Sequence, residues 1–378
     1  MHPASSDHHD TGRILVVCGP TATGKTRLAL HLAQQCGGEI VGADSRQVYR
    51  HLDIGTAKPT PAQRALAPHH LIDVVDPDEP FTLADYLDRA RPAVAGILAR
   101  GRVPIVAGGT GLYIRALVRG FDVPRVPPNP ALRRELEDIA AAGGAGALLE
   151  RLRRADPDAA VAVDRDNPRR LIRAIEVAEA SPEPYSRADS AGPPQPTGIA
   201  GDAVDAGVAT EVGRTLALPV NGPLASKREG VRGYDALIIG LTADRAALHE
   251  RADRRVDAMM AEGFLDEVRS LYARGYAPDL PALSSLGYRE LGEFLAEEQT
   301  GAARSRARAG TGAPTLEGAA QATKWATHRF IRRQLTWFRR EPTIQWLDIT
   351  AGRVADEAAR LCARWLSPSA PARTVASA

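Results

Sequence analysis

The chain has 378 residues, enough for two or three domains with a sizeable core. Its hydrophobic and charged shares, 44% and 25%, are those of a globular protein and not of a disordered or fibrous one. A net charge of +2 leaves any anionic partner to be met by local patches, and three scattered cysteines (Cys18, Cys36, Cys362) with no C-x-x-C pair argue against a disulfide framework or a zinc site.

In chain order, the first eleven residues are polar and His-rich, without the apolar core of a signal peptide, and no run approaches 18 apolar residues. The expectation is a cytoplasmic protein with no membrane segment. Ile14–Cys18 is a short apolar run that reads as a buried parallel strand. It leads into Gly19-Pro20-Thr21-Ala22-Thr23-Gly24-Lys25-Thr26, which fits G-x-x-x-x-G-K-[ST], and then into the helix-forming Arg27–Ala33. Strand, glycine loop and helix together form the setting in which such a loop holds phosphate. Consecutive N–H groups and the helix N-terminus face one concavity. Lys25 brings a mobile cation, and the Thr26 hydroxyl is placed for a phosphate-bridging Mg²⁺. The motif points to a diphosphate or triphosphate without saying what is done with it.

Glu39–Ala43 reads as a second strand, and Asp44-Ser45-Arg46-Gln47-Val48-Tyr49 then lies at its carboxyl end, where parallel sheets bind ligands. Asp44 could equally cap a following helix. Gly55–Pro59 is a polar loop. His69-His70 leads into Leu71–Val75, a further expected strand, and neighbouring histidines on a strand face opposite ways, which suits a structural pair better than a metal site. A helix from Thr82 to about Ala99 and a strand over Val103–Ala107 precede a second glycine loop, Gly108-Gly109-Thr110-Gly111-Leu112-Tyr113. Two glycine loops, each after an apolar strand, look like two walls of one pocket.

From Phe121 the pattern turns helical. A proline-rich linker over Val123–Pro130 precedes helices near Ala131–Ala142, Ala145–Ala155 and Pro168–Ala180, the last with Asn167 as N-cap. Its Arg169, Arg170 and Arg173 lie beside Leu171, Ile172 and Ile175 and suit either a solvated basic face or an anion site. Arg187–Arg232 and Thr300–Gly318 are low-complexity spacers expected to pack poorly. Between them come a strand over Asp235–Leu241 and helices near Arg245–Ala261, Leu265–Arg274 and from Ser284 onward. Lys324–Arg340 carries six cations (Lys324, Arg329, Arg332, Arg333, Arg339, Arg340), no acidic residue, and interleaved Trp325, Phe330, Trp337 and Phe338. Like charges crowded on one helix repel, so contact with a polyanion relieves a cost, and nucleic acid is the favoured reading.

Gly19–Thr26, Asp44–Tyr49, Gly55–Pro59, His69–Asp73, Gly108–Tyr113, Gly287-Tyr288-Arg289 and Arg333–Arg339, in that order, resemble the tRNA dimethylallyltransferase (tRNA isopentenyltransferase) family from about Ile14 to Trp346. The resemblance implies an α/β fold with a P-loop NTPase-like parallel sheet flanked by helices. The core would run over 1–120 and 233–366, interrupted by a helical insertion over 121–186 and the excursion over 187–232, with a tail over 367–378. It also implies transfer of a dimethylallyl group from dimethylallyl diphosphate to N6 of adenosine 37 in a tRNA anticodon loop, releasing diphosphate, with Mg²⁺ at Thr26 and the chain acting as a monomer. By matching position, Asp44 is the general base, assisted by Lys25 and Thr110, and Gly19, Pro20, Thr21, Ala22, Thr23, Gly24, Lys25 and Thr26 bind the diphosphate. The tRNA would meet Asp44, Ser45, Arg46, Gln47, Thr110, Arg133, Arg169, Arg170, Leu171, Ile172 and Arg173. Further contacts would come from Ser284, Ser285, Leu286, Gly287, Tyr288, Arg289, Arg332, Arg333, Gln334, Leu335, Thr336, Trp337, Phe338 and Arg339. A small-molecule kinase or a nucleic-acid-binding NTPase shares the first loop but does not account for the rest, and a prenyltransferase acting on free AMP has no use for the basic helix.

Overall fold

The computed structural model describes residues 12–127, 129–180, 233–300 and 315–367. The excursion over 187–232, the residues 181–186 before it, most of the second spacer and 368–378 lie outside the described residues. Those described fall into two compact units, one holding 12–81, 85–119 and 234 onward, the other 82–84 and 120–180.

The larger unit is built on six parallel strands. They are β1 (Arg13–Cys18), β2 (Glu39–Gly42), β3 (His69–His70), β4 (Pro104–Gly108), β5 (Asp235–Thr242) and β6 (Gln345–Asp348), in the order β3-β2-β4-β1-β5-β6. Ile14 to Cys18 are fully buried, as expected of a central strand covered on both faces. One face packs Leu15, Val17, Leu237, Ile239 and Leu241 against Leu28 and Leu32 of α1 (Lys25–Cys36), and Cys362 of a C-terminal helix (Val354–Leu366) joins the same cluster. Truncating a leucine in such a core to alanine costs about 2–5 kcal/mol.

Register positions the site. Cys18 pairs with Gly108 and Gly42 with Ala107, so β1, β4 and β2 end side by side. The chain leaves β1 toward β2 on one side and later joins β5 on the other. The crevice at a parallel sheet's carboxyl edge opens at such a switch point.

Several expectations change. The strand at the histidines is His69–His70 alone; Leu71 and Asp73 take positive φ of 63° and 56°, which breaks the ladder, and Val75 keeps only a bridge to Tyr49. The histidines are structural: His70 Nε2 sits 2.7 Å from Glu39 Oε2 and His69 Nδ1 2.8 Å from the Ala67 carbonyl oxygen. The second spacer ends early, because Thr315 caps a helix over Leu316–Phe338, whose first turn holds Gly318. The basic stretch takes up about the last four turns of that helix, from Lys324, with Arg339 as its C-cap. β6 and the Val354–Leu366 helix carried no motif and complete the sheet and its apolar face.

The smaller unit is helical, as its pattern indicates, with helices over Pro130–Ala155, Pro157–Ala162 and Pro168–Ala180. The break expected between the first two helices is a kink, where Gly144 takes φ 67° and the helix continues. Leu136, Leu148, Leu152, Leu171 and Ile175 form its core.

Candidate active site

Three loops leave adjacent strand ends and meet. The first is the phosphate loop, Gly19–Thr26. Gly19 has φ 133°, and a Cβ there would lie 2.4 Å from the Leu241 carbonyl oxygen, so only glycine lets the loop start this close to β5. The Thr23 hydroxyl donates to the Pro20 carbonyl (2.8 Å) and closes the loop. The N–H groups of Thr23, Gly24, Lys25 and Thr26 lie where α1 begins; its N-cap Gly24 makes no side-chain cap bond, and the first N–H groups of a helix have no intrahelical acceptor. Lys25 Nζ donates to the Pro20 carbonyl at 2.7 Å. Burial pulls its ammonium down to about 8; the like charge of Arg255 adds to this and Asp44 opposes it.

The second loop holds Thr110. A Cβ at Gly108 would meet the Ala43 carbonyl oxygen at 2.0 Å, so β4 can approach the third loop only as glycine. Thr110 N–H donates to that same carbonyl (3.1 Å), and the Thr110 hydroxyl accepts from Ser45 N–H (3.0 Å).

Asp44 opens the third loop. No helix follows it, so it caps none. Its Oδ1 accepts Arg46 N–H (2.9 Å) and Gln47 N–H (3.4 Å) in an Asx turn, while Oδ2 has no partner among the described residues. The carboxylate is thus held by one oxygen and presented by the other. Gln47 donates to the Thr56 and Ala57 carbonyls (3.1 and 3.2 Å), which ties the polar Gly55–Pro59 loop to the site. Lys58 in that loop is buried and donates to Asp53 (2.7 Å) and Asp73 (2.6 Å), a structural role.

Two further helices reach the phosphate loop. From the helix over Arg245–Ala261, Arg251 Nε donates to the Ala22 carbonyl (2.9 Å) and Arg255 Nη1 to the Thr21 hydroxyl (3.2 Å). Both are spaced four apart on one helical face, a pattern visible in sequence. Gln334 comes from the Leu316–Phe338 helix and touches both glycine loops.

Sequence expectations for RNA contact divide. Arg332 and Arg339 are exposed, their guanidinium groups without a partner among the described residues, and exposed Arg333 lies 5.8 Å from the Phe330 ring centroid. Leu171 and Ile172 are corrected: they are buried in the helical unit's core and present no surface. Arg133 and Arg173 pair with buried Glu176 (2.7 and 3.3 Å), and Arg170 with Asp164 (3.1 Å), so their charge is largely answered within the protein. Ser285, Gly287 and Tyr288 are likewise structural. Ser285 and Tyr288 are buried, and the Tyr288 hydroxyl donates to Glu267 Oε1 (2.6 Å), whose carboxylate also accepts N–H groups of Asp53, Ile54 and Gly55. Ser284 caps locally on the Pro281 carbonyl, and Arg289 pairs with Glu290. Phe338 is buried, Leu335 is half-buried against Leu248 and Ile331, the Thr336 hydroxyl bonds its own helix, and Trp337 lies against Gly111 beneath Arg115 (4.7 Å). Lys324 is held by Asp257 (2.6 Å). Glu267 and Glu341, which receives Arg115 and Arg119, had no signal in the sequence, since Asp53, Ile54 and Gly55 lie more than 200 residues from the first and both arginines more than 200 from the second.

A parallel sheet with a phosphate loop at its switch point and a carboxylate on the neighbouring strand end defines a P-loop enzyme that handles a phosphate ester. The chain belongs to the IPP transferase family, whose model matches residues 47–341, with an isopentenyl transferase model matching 12–67. It is 44% identical over 353 residues to a tRNA dimethylallyltransferase of Roseiflexus sp. (strain RS-1), covering 93% of this chain and 98% of that one. Among solved structures it resembles the full-length tRNA isopentenylpyrophosphate transferase of Bacillus halodurans, with 32% identity, TM-score 0.59 and coverage of 94% and 96%. A eukaryotic dimethylallyltransferase acting on tRNA shares the fold at 23% identity and TM-score 0.65, covering 93% of this chain and 77% of that one.

Proposed function

We propose that this protein transfers the dimethylallyl group of dimethylallyl diphosphate to N6 of adenosine 37 in a tRNA anticodon loop. The observation that carries this reading is Asp44, anchored by Oδ1 with Oδ2 presented beside the phosphate loop. A small-molecule kinase has no use for the arginine-bearing helix, and a mere nucleic-acid-binding module has no need of a presented carboxylate.

In the reaction the allylic C1–O bond breaks, C1 bonds to N6, one N6 proton passes to Asp44, and diphosphate leaves. Adenine N6 is a poor nucleophile because its lone pair is delocalised into the ring. A carboxylate bonded to that amine orients it and takes its proton as the C–N bond forms. The Thr110 hydroxyl already accepts from Ser45, and its own proton is left to donate to the base. Negative charge grows on the departing diphosphate, where Lys25, the N–H groups of Thr23–Thr26 and Arg255 stand to meet it. The Thr26 hydroxyl, half-buried and without a partner among the described residues, suits a Mg²⁺ bound mainly through phosphate and water; no cluster of three His, Cys, Asp or Glu is present among them. When bound, the ion neutralises phosphate charge. The target base must leave its stack, at a cost of a few kcal/mol that is lowest in a single-stranded loop. No helix among the described residues is long and apolar enough to cross a membrane.

The direct test is incubation with labelled dimethylallyl diphosphate and bulk tRNA, followed by nucleoside analysis. Label in N6-dimethylallyladenosine is expected, and label consumed without it would overturn the assignment.

The exposed arginines should bind the RNA backbone without reading sequence. Arg332→Ala with Arg339→Ala, one face of the helix seven residues apart, should weaken tRNA binding at 100 mM salt and reduce the salt slope by about one to two. An unaltered slope would mean that these side chains meet no phosphate.

A further inference from the structure

Gln334 is a buried polar residue in a basic stretch, flanked by exposed Arg332 and Arg333, with only 7% of its surface accessible. Its Oε1 accepts Thr21 N–H of the phosphate loop at 2.9 Å, and its Nε2 donates to the Gly109 carbonyl of the second glycine loop at 3.0 Å. One partner is a donor and the other an acceptor, so the amide can face only one way. A Cβ at Gly109 would stand 2.5 Å from Nε2, and one turn further along the helix a Cβ at Gly111 would stand 2.2 Å from the Trp337 ring. The helix is thus seated on both loops through contacts that glycine alone permits. A buried amide left without partners is costly, so the two bonds hold the walls of the pocket at one spacing.

Resting on the function proposed above, we infer that Gln334 is a positioning residue that sets the geometry of the diphosphate site and couples it to RNA docking on the same helix. Its neighbours Arg332 and Arg333 face outward while Gln334 faces the loops, so whatever orders the outer face orders the inner one. RNA bound to the arginines tightens the diphosphate site, and diphosphate tightens RNA by the same factor, since coupling between two binding sites is reciprocal.

The test compares Gln334→Met, similar in length but unable to make either bond, with the wild type. The dissociation constant of inorganic diphosphate is measured with and without saturating tRNA, and KM and kcat are measured separately. For the wild type, tRNA should tighten diphosphate binding by at least about fivefold, the low end of ordinary coupling. In Gln334→Met that factor should fall to near one, diphosphate alone should bind about tenfold more weakly, and tRNA alone should bind within threefold of wild type. KM for dimethylallyl diphosphate should rise more than kcat falls, whereas a helix merely loosened would lose tRNA affinity as well. Gln334→Glu keeps the acceptor for Thr21 and loses the donor for Gly109, so it serves if the methionine variant melts early. Its charge weakens diphosphate binding with and without tRNA alike, leaving the coupling factor as the readout, again expected near one. Undiminished coupling in the folded variant would overturn the inference. The tRNA-free measurement keeps it separate from the enzymatic reading, because a wild type that binds diphosphate normally but makes no modified nucleoside refutes only the latter.

Discussion

Asp44→Asn should lower kcat on tRNA by about 10²-fold or more and leave KM for dimethylallyl diphosphate nearly unchanged. Asparagine has the same shape, and its Oδ1 still accepts the N–H groups of Arg46 and Gln47 that bond Asp44 Oδ1 at 2.9 and 3.4 Å. The Asx turn therefore survives, and the melting temperature should move by less than about 2 °C, the shift of well under 1 kcal/mol in a chain this size. What is lost is the second oxygen as a proton acceptor. The amide nitrogen that replaces it donates where N6–H needs an acceptor, so the substitution both removes the base and misaligns the amine. Single-turnover measurement with saturating diphosphate isolates the chemical step. A variant within threefold of wild type there would reduce Asp44 to a turn residue.

The parts of this site that were legible in the sequence are those whose function depends on neighbours along the chain. Gly19 to Thr26 can be read because a phosphate cradle needs consecutive backbone N–H groups, and Asp44 because it follows an apolar strand directly. The ends of β1, β2 and β4 then meet for reasons of register, which a strand-by-strand reading already anticipates. Arg251 and Arg255, four apart on one helix, both reach the phosphate loop. Pairings across hundreds of residues were not legible. Gln334 sits in a run of cations and looks like one more RNA contact, yet its partners are 313 and 225 positions away. Arg133 and Arg173 look like free basic residues because nothing along the chain marks Glu176, which is buried and pairs with both. The expected strand at Leu71–Val75 failed for a local reason. Four of the five residues there are apolar, but positive φ at Leu71 and Asp73 turns the chain, and Asp73 accepts from Lys58 and Arg64.

Lys25 carries the largest expected loss and a pH signature with it. Lys25→Ala should reduce kcat/KM by about 10³-fold, because the charge that grows on the leaving diphosphate loses its nearest cation. Part of that loss should appear in binding, as inorganic diphosphate would bind more weakly as well. The pH dependence follows from the ammonium being pulled down to about 8, first by burial and then by the like charge of Arg255. The protonated form is the one that meets diphosphate. As pH rises through about 8 the free enzyme loses that proton, so kcat/KM should fall by up to tenfold per unit above it. Bound diphosphate favours the charged form, so kcat should stay level to a higher pH than kcat/KM. Lys25→Arg separates charge from shape: a guanidinium keeps its proton throughout this range, so whatever activity remains should lose the fall near pH 8. A wild-type kcat/KM that is flat from pH 7 to pH 10 would show that Lys25 enters the reaction already fully charged or not at all, and an identical fall in Lys25→Arg would assign the titration to another group.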